Sequence, residues 1–115
     1  MDSKVQISIL LETYGKLLTD KQYHLLDDYY NLDLSLSEIA ENEGITRQAV
    51  RDNLKKGENK LFEYEEKLGI MKKTLMQEET IGSVLSEISK IQNSSSDKEV
   101  ANILQEVKKK LNCLV

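Results

Sequence analysis

The sequence contains no proline, and this absence limits what the chain can fold into more than any other single feature. Proline stops or kinks helices, so a chain without it can form long uninterrupted ones. There are only five glycines, 31% of the residues are charged, and runs of the β-branched and aromatic residues that strands favour are scarce. We therefore predict an all-α protein. Its 115 residues allow one core, or a small domain with a helical extension.

Capping boxes mark where several helices should begin. In this motif a Ser or Thr is followed three residues later by Glu or Gln, and an apolar run with spacings of three and four comes next. Four such pairs are predicted to open the first, second, third and last helices: Ser3/Gln6, Thr19/Gln22, Ser35/Glu38 and Ser96/Glu99. The second helix should run to about Asn31.

A fourth, longer helix is predicted to begin at Thr46. Its apolar stripe steps by three and four through Val50, Leu54, Gly57, Leu61, Tyr64, Leu68, Met71 and Leu75. We expect about seven turns, with Gly69 as the point where the helix could bend. A further helix should carry the apolar residues between Ile81 and Ile91.

These elements divide into two predicted parts. Residues 1–68 should form a helix-turn-helix domain with its recognition helix from about residue 46, and residues 69–115 a C-terminal helical extension. The apolar stripes of the extension need partners to bury them. The pattern leaves two arrangements open, a packing hairpin within one chain and a homodimer formed through heptad-like seams.

The segment SLSEIAENEGITRQAVRDNLKKGENKL, residues 35–61, has the helix-turn-helix layout: a short helix, a tight turn at Gly44 and a second helix from Thr46. If Ala49, Val50 and Leu54 pack inward, the opposite face carries the candidate nucleic-acid-binding residues Thr46, Arg47, Gln48, Arg51, Lys55, Lys56 and Lys60. Arg suits guanine and Gln suits adenine in the major groove, whereas Lys mostly contacts phosphates. We therefore place Arg47, Gln48 and Arg51 near base edges, and the three lysines on the DNA backbone.

The stretch from about Leu17 to Leu61, which includes these residues, resembles the promoter-reading C-terminal helix-turn-helix domain of bacterial sigma factors. Its most specific elements are EIA, GIT and RQAV. Nearly the entire chain is similar to the YlxM (UPF0122-like) family of small Gram-positive proteins, described as DNA-binding or regulatory. That resemblance implies a link to the signal recognition particle pathway, inferred from gene neighbourhood with the particle's GTPase.

The distribution of charge keeps a second function open. The net charge is −4, and residues 20–43 hold seven acidic side chains against Lys21 alone, whereas residues 47–56 hold four basic ones against Asp52. Acid near the backbone repels phosphate, so DNA binding by a monomer should be weak. The alternative is a protein-interaction regulator of the signal recognition particle GTPase or its RNA, with the helix-turn-helix as a scaffold.

Enzymatic chemistry is not predicted. The chain has no phosphate-binding glycine loop, and its single cysteine, Cys113, and single histidine, His24, cannot assemble a zinc site of the usual composition. We predict no catalytic, cofactor or metal residues and no small-molecule substrate. No apolar run reaches the roughly 20 residues of a membrane helix and the N-terminus lacks signal-peptide features, so a cytoplasmic protein without a membrane partner is expected.

Overall fold

A computed structural model describes residues 2–114. Over this range it contains no strand and six α-helices, α1 Ser3–Tyr14, α2 Asp20–Tyr30, α3 Leu36–Glu43, α4 Arg47–Leu68, α5 Ile70–Ser94 and α6 Lys98–Asn112, with a 3₁₀ turn Gly15–Leu17 after α1. The prediction of an all-α fold is confirmed. None of the described helices combines the length and apolar character that crossing a membrane requires.

The chain divides into two compact units, and the boundary between them falls in the first turn of α5. Unit 1 ends at Met71 and unit 2 begins at Lys72. In unit 1, α4 contacts α1, α2 and α3, so it is the central helix of the core. The side chains with no exposed surface come from all four of these helices: Leu10, Leu26, Ile39, Val50 and Leu61.

A glycine allows α2 and α4 to approach closely. A Cβ atom added at Gly57 would lie 2.8 Å from Cδ1 of Leu26, closer than real Cβ contacts come. Gly57 therefore continues the helix despite its poor helix propensity, because the absent side chain leaves room for a fully buried leucine.

The prediction of one long fourth helix passing through Gly69 is wrong. α4 ends at Leu68, and Gly69 has a left-handed backbone with φ 61°. A residue in this conformation cannot continue an α-helix, so α5 is a separate helix beginning at Ile70. The apolar spacing continues in step across the break, which explains why periodicity alone missed it.

The new helix start is held by two side chains of unit 1. The Tyr14 hydroxyl donates to Oε1 of Glu65 at 2.6 Å and accepts from the backbone N–H of Ile70 at 3.1 Å. The same carboxylate oxygen accepts from the N–H of Met71 at 2.9 Å. Tyr14 and Glu65 thus satisfy two of the N–H groups that a helix N-terminus leaves without partners.

The predicted capping boxes are correct for two helices and wrong for two others. Thr19/Gln22 and Ser35/Glu38 each make both reciprocal hydrogen bonds, at the starts of α2 and α3. By contrast, Asp2 caps α1 and Asp97 caps α6, instead of Ser3 and Ser96. In both cases the residue beside the predicted cap is an aspartate, whose carboxylate accepts the first-turn N–H groups.

Unit 2 consists of most of α5 and all of α6, joined by residues 95–97. Side chains link the two helices, since Gln92 donates to the carbonyl oxygen of Ala101 at 3.3 Å and accepts from Lys108 at 3.4 Å. Among its described residues, Ile88 is the one buried apolar side chain. Seven large apolar residues of this unit are exposed: Met76, Val84, Ile91, Val100, Ile103, Val107 and Leu114.

Candidate nucleic-acid interface

The turn between α3 and α4 is fixed by backbone hydrogen bonds. Gly44 is left-handed at φ 66°, and its N–H donates to the carbonyl oxygen of Glu41 at 3.4 Å. The N–H of Ile45 donates back to Ala40 at 3.1 Å, which completes a Schellman motif. This motif reverses the chain within two residues and sets the angle at which α4 leaves α3.

Thr46 begins the candidate recognition helix. Its Oγ1 accepts from the N–H of Ala49 at 3.0 Å, so the hydroxyl is engaged in capping while the residue itself is exposed. Arg47 and Gln48, the first two residues of α4, are also exposed, so the positive end of the α4 dipole lies near solvent. Helix N-termini of this kind attract phosphate oxygens.

Four of the seven predicted residues lie together around one cleft. Thr46, Arg47, Gln48 and Arg51 of α4 line it opposite Leu36 and Ser37 of α3, and its volume is about 630 Å³. All four are exposed. The cleft therefore presents two guanidinium groups and one amide at the helix end that enters the major groove in helix-turn-helix complexes.

The three lysines divide between two sides of α4. Lys55 follows Arg47 and Arg51 at steps of four residues, so these three form one ridge, and Lys55 lines a second cleft of about 320 Å³ with Arg51. At 100° per residue, Lys56 and Lys60 lie roughly half a turn round the axis from Arg47. Lys60 is also about 20 Å further along the helix. The structure does not bring these two lysines into the arginine cluster.

Gln48 already has a partner. Its Nε2 donates to Oδ1 of Asp52 at 2.9 Å, one turn further along α4. Reading adenine with two hydrogen bonds uses both the oxygen and the nitrogen of the amide. The bond to Asp52 uses one of the two hydrogens on Nε2, so the second hydrogen and the oxygen Oε1 are still available to an adenine.

An acidic side chain that the sequence interpretation overlooked faces the second cleft. Glu58 lines it with Arg51 and Lys55, and its carboxylate accepts a hydrogen bond from the Tyr30 hydroxyl. Burial, with the carboxylate of Glu58 beside it, raises the pKa of Tyr30 and keeps the phenol protonated. The sequence did indicate this placement of Glu58, because residues three positions apart, such as Lys55 and Glu58, are neighbours on a helix.

The acidic surface predicted for residues 20–43 is partly engaged within the fold. Asp27 accepts from Nδ2 of Asn31 at 2.7 Å, Asp33 pairs with Lys4, and Glu38 is part of the α3 capping box. Glu41 and Glu43, at the end of α3, are exposed. Among residues 2–114 no cluster of three or more His, Cys, Asp or Glu side chains is placed to hold a metal ion.

The amino-acid sequence of this chain matches a known protein family. The family described as "Putative helix-turn-helix protein, YlxM / p13 like" matches residues 1–107. A UPF0122 protein of Acetivibrio thermocellus is 43% identical over 115 residues, covering 100% of this chain and 98% of the relative. A UPF0122 protein of Clostridium kluyveri is 43% identical over 108 residues, 94% of each chain. One from Fusobacterium nucleatum is 48% identical over 80 residues, 68% of this chain and 78% of its own.

Proposed function

Because the chain belongs to the UPF0122 family of YlxM/p13-like helix-turn-helix proteins, we propose that it is a DNA-binding regulatory protein. One observation carries the proposal: the cleft at the start of α4 gathers Thr46, Arg47, Gln48 and Arg51 on an exposed surface. A helix-turn-helix protein inserts this end of its second helix into the major groove.

The residues then divide by what they contact. Arg47 and Arg51 donate to guanine O6 and N7, and the Gln48 amide contacts an adenine. Lys55 continues their ridge toward the backbone, and the exposed N-terminus of α4 receives a phosphate. Lys56 and Lys60, on the far side of α4, reach only phosphates that flank the groove.

The charge balance sets the strength and salt dependence of this binding. The three lysines assigned to phosphates, Lys55, Lys56 and Lys60, correspond to a slope of about −3 in log affinity against log salt. Stronger non-specific binders make more phosphate contacts. Asp52 and Glu58 lie beside the ridge and weaken non-specific attraction further. Binding therefore depends on the arginines reaching base edges.

The test is a titration of duplex DNA with the double variant Arg47→Ala plus Arg51→Ala, at low and at physiological salt. Each arginine contact is worth about 1–3 kcal/mol, so affinity should fall about 30-fold or more. The matched control, Lys90→Ala plus Lys98→Ala, removes the same charge from exposed positions of α5 and α6. It should change affinity less than about threefold, because neither lysine belongs to the helix-turn-helix surface that is proposed to contact DNA. Equal losses in both variants, or none in the first, contradict the proposal.

The second candidate is the protein-interaction regulator that the YlxM resemblance suggests, acting on the signal recognition particle GTPase or its RNA. The exposed carboxylates of Glu41 and Glu43 favour the GTPase over the RNA as the ligand, since an acidic surface repels phosphate and attracts a basic protein. The same titration should include the GTPase and the particle's RNA as ligands. If only the GTPase binds, and Glu41→Lys plus Glu43→Lys abolishes that binding in a folded variant, the helix-turn-helix is a scaffold.

A further inference from the structure

One side of α6 is apolar and exposed. Val100 is 37% exposed, Ile103 57%, Val107 37% and Leu114 71%. Their spacings of three, four and seven residues place them along one seam of a heptad pattern. Leaving this much contiguous apolar surface in water is unfavourable, and such patches usually mark interaction sites.

The partner of this seam is not α5 of the same chain. The half-buried residues of α6, Ala101, Leu104, Lys108 and Leu111, form a different side of the helix. That side faces α5, because Gln92 contacts both Ala101 and Lys108. At 100° per residue, the exposed seam lies about a quarter-turn or more away from it.

α5 extends the same apolar surface. Its exposed residues Val84 and Ile91, one heptad apart, lie about a quarter-turn from the side that carries Ile88 and Gln92 toward α6. In each helix the exposed stripe is rotated in the same sense from the side that faces the other helix. In an antiparallel hairpin of right-handed helices, rotations of the same sense place both stripes on the same side of the hairpin. Unit 2 therefore presents a single apolar face built from two helices.

We propose that a second copy of this chain covers this face, with the two α6 helices antiparallel about a two-fold axis at the level of Gln105. In this alignment Ile103 packs against Val107 of the second copy, and Val107 against its Ile103. The surface is then self-complementary, as an isologous dimer requires. The proposal does not depend on nucleic-acid binding.

The charges along the seam select this occupant and this direction. Lys110 is the one polar residue at a seam position between Val100 and Leu114, and in the antiparallel alignment it lies opposite Val100 and beside Glu99 of the second copy. Its methylenes cover the valine while its ammonium group pairs with the carboxylate. A parallel alignment would instead place Lys110 against Lys110, where like charges repel.

The size of unit 2 supports the same occupant. A segment of about this length rarely holds a sufficient core alone, and oligomerisation is a usual remedy. Within residues 72–114, Ile88 is the one buried apolar side chain. Pairing two such faces supplies the missing core without any further segment of the chain.

The experiment measures the mass of the full-length protein by sedimentation equilibrium up to about 100 µM. Wild type should be a dimer, and Ile103→Glu should weaken it roughly a hundredfold or more, because the change acts twice in each dimer. The matched control is Leu17→Glu, at a position 55% exposed in unit 1, which should remain dimeric. A monomeric wild type, or a dimer that Ile103→Glu leaves intact, overturns the proposal.

A charge swap tests the direction. Glu99→Lys and Lys110→Glu should each weaken the dimer about tenfold, and the two together should restore it. Glu99 and Lys110 are roughly 16 Å apart along one helix, so rescue can arise only between copies. Both changes oppose the α6 dipole, so helix stabilisation cannot produce the rescue either. A double variant weaker than either single variant overturns the antiparallel alignment.

Discussion

Units 1 and 2 are built from similar amphipathic helices but differ in how much of their apolar surface they bury. In unit 1, residues from four helices are fully enclosed, and Gly57 lets Leu26 fit against α4. In unit 2, most large apolar side chains remain exposed. A stripe with a spacing of three and four therefore shows that a helix has a partner face, and does not show whether the partner belongs to the same chain.

The largest effect that separates the units should come from truncating the core of unit 1. Leu10 has no exposed surface, so Leu10→Ala should lower the free energy of unfolding by about 2–5 kcal/mol through lost burial and the cavity left behind. Met76 is 59% exposed in α5, and Met76→Ala should cost less than about 0.5 kcal/mol. Urea denaturation followed by circular dichroism measures both. Losses of similar size would remove the distinction between the units.

Substituting two glycines compares the units at the level of packing. Gly57→Ala would put a Cβ 2.8 Å from Leu26, and should destabilise by about 1–3 kcal/mol despite the better helix propensity of alanine. Gly82, inside α5, has nothing within 4 Å of an added Cβ. Gly82→Ala should therefore stabilise by about 0.5–1 kcal/mol. Thermal and urea unfolding report both signs, and a gain from Gly57→Ala would show that α2 and α4 are packed loosely.

The glycines of unit 1 show which features of the fold could be predicted from the sequence. Gly44, Thr46 and the pairs Thr19/Gln22 and Ser35/Glu38 were correctly interpreted, because turns and caps are decided by residues a few positions apart. Gly57 and Gly69 stand on the same stripe, yet one continues α4 and the other ends it. Leu26 lies against Gly57, whereas Tyr14 accepts from the N–H of Ile70, next to Gly69. Both contacts are distant in sequence, so no local pattern distinguishes the two glycines.

The candidate site was predictable to a similar extent. The helix-turn-helix register placed Arg47, Gln48 and Arg51 on one surface, and the cleft at the start of α4 gathers them. Periodicity did not reveal the hydrogen bond from Gln48 to Asp52, or Glu58 beside Lys55. Both depend on side-chain conformation and on the neighbouring helix α2, which a one-dimensional pattern does not describe.

The smallest expected effect concerns the end of unit 1, where Tyr14 and Glu65 hold the first turn of α5. Tyr14→Phe removes a buried hydroxyl and leaves the N–H of Ile70 without that acceptor. The free energy of unfolding at pH 7 should fall by about 0.5–1.5 kcal/mol. Tyr23→Phe, at a more exposed tyrosine of α2, is the matched control and should change it by less than about 0.5 kcal/mol.

The pH dependence separates a buried phenol from general loosening of the fold. Burial, followed by the hydrogen bond to Glu65, raises the pKa of Tyr14 above its ordinary value. Below about pH 10 both states keep the proton and the stabilisation is complete; above it the unfolded state ionises first, so stability is lost as pH rises toward the folded-state pKa. The phenylalanine variant lacks this proton, so its deficit relative to wild type should shrink between about pH 9 and pH 11. Urea unfolding across that range measures the convergence. A constant deficit would mean that the Tyr14 hydroxyl is not protected from solvent and that unit 1 is open at the start of α5.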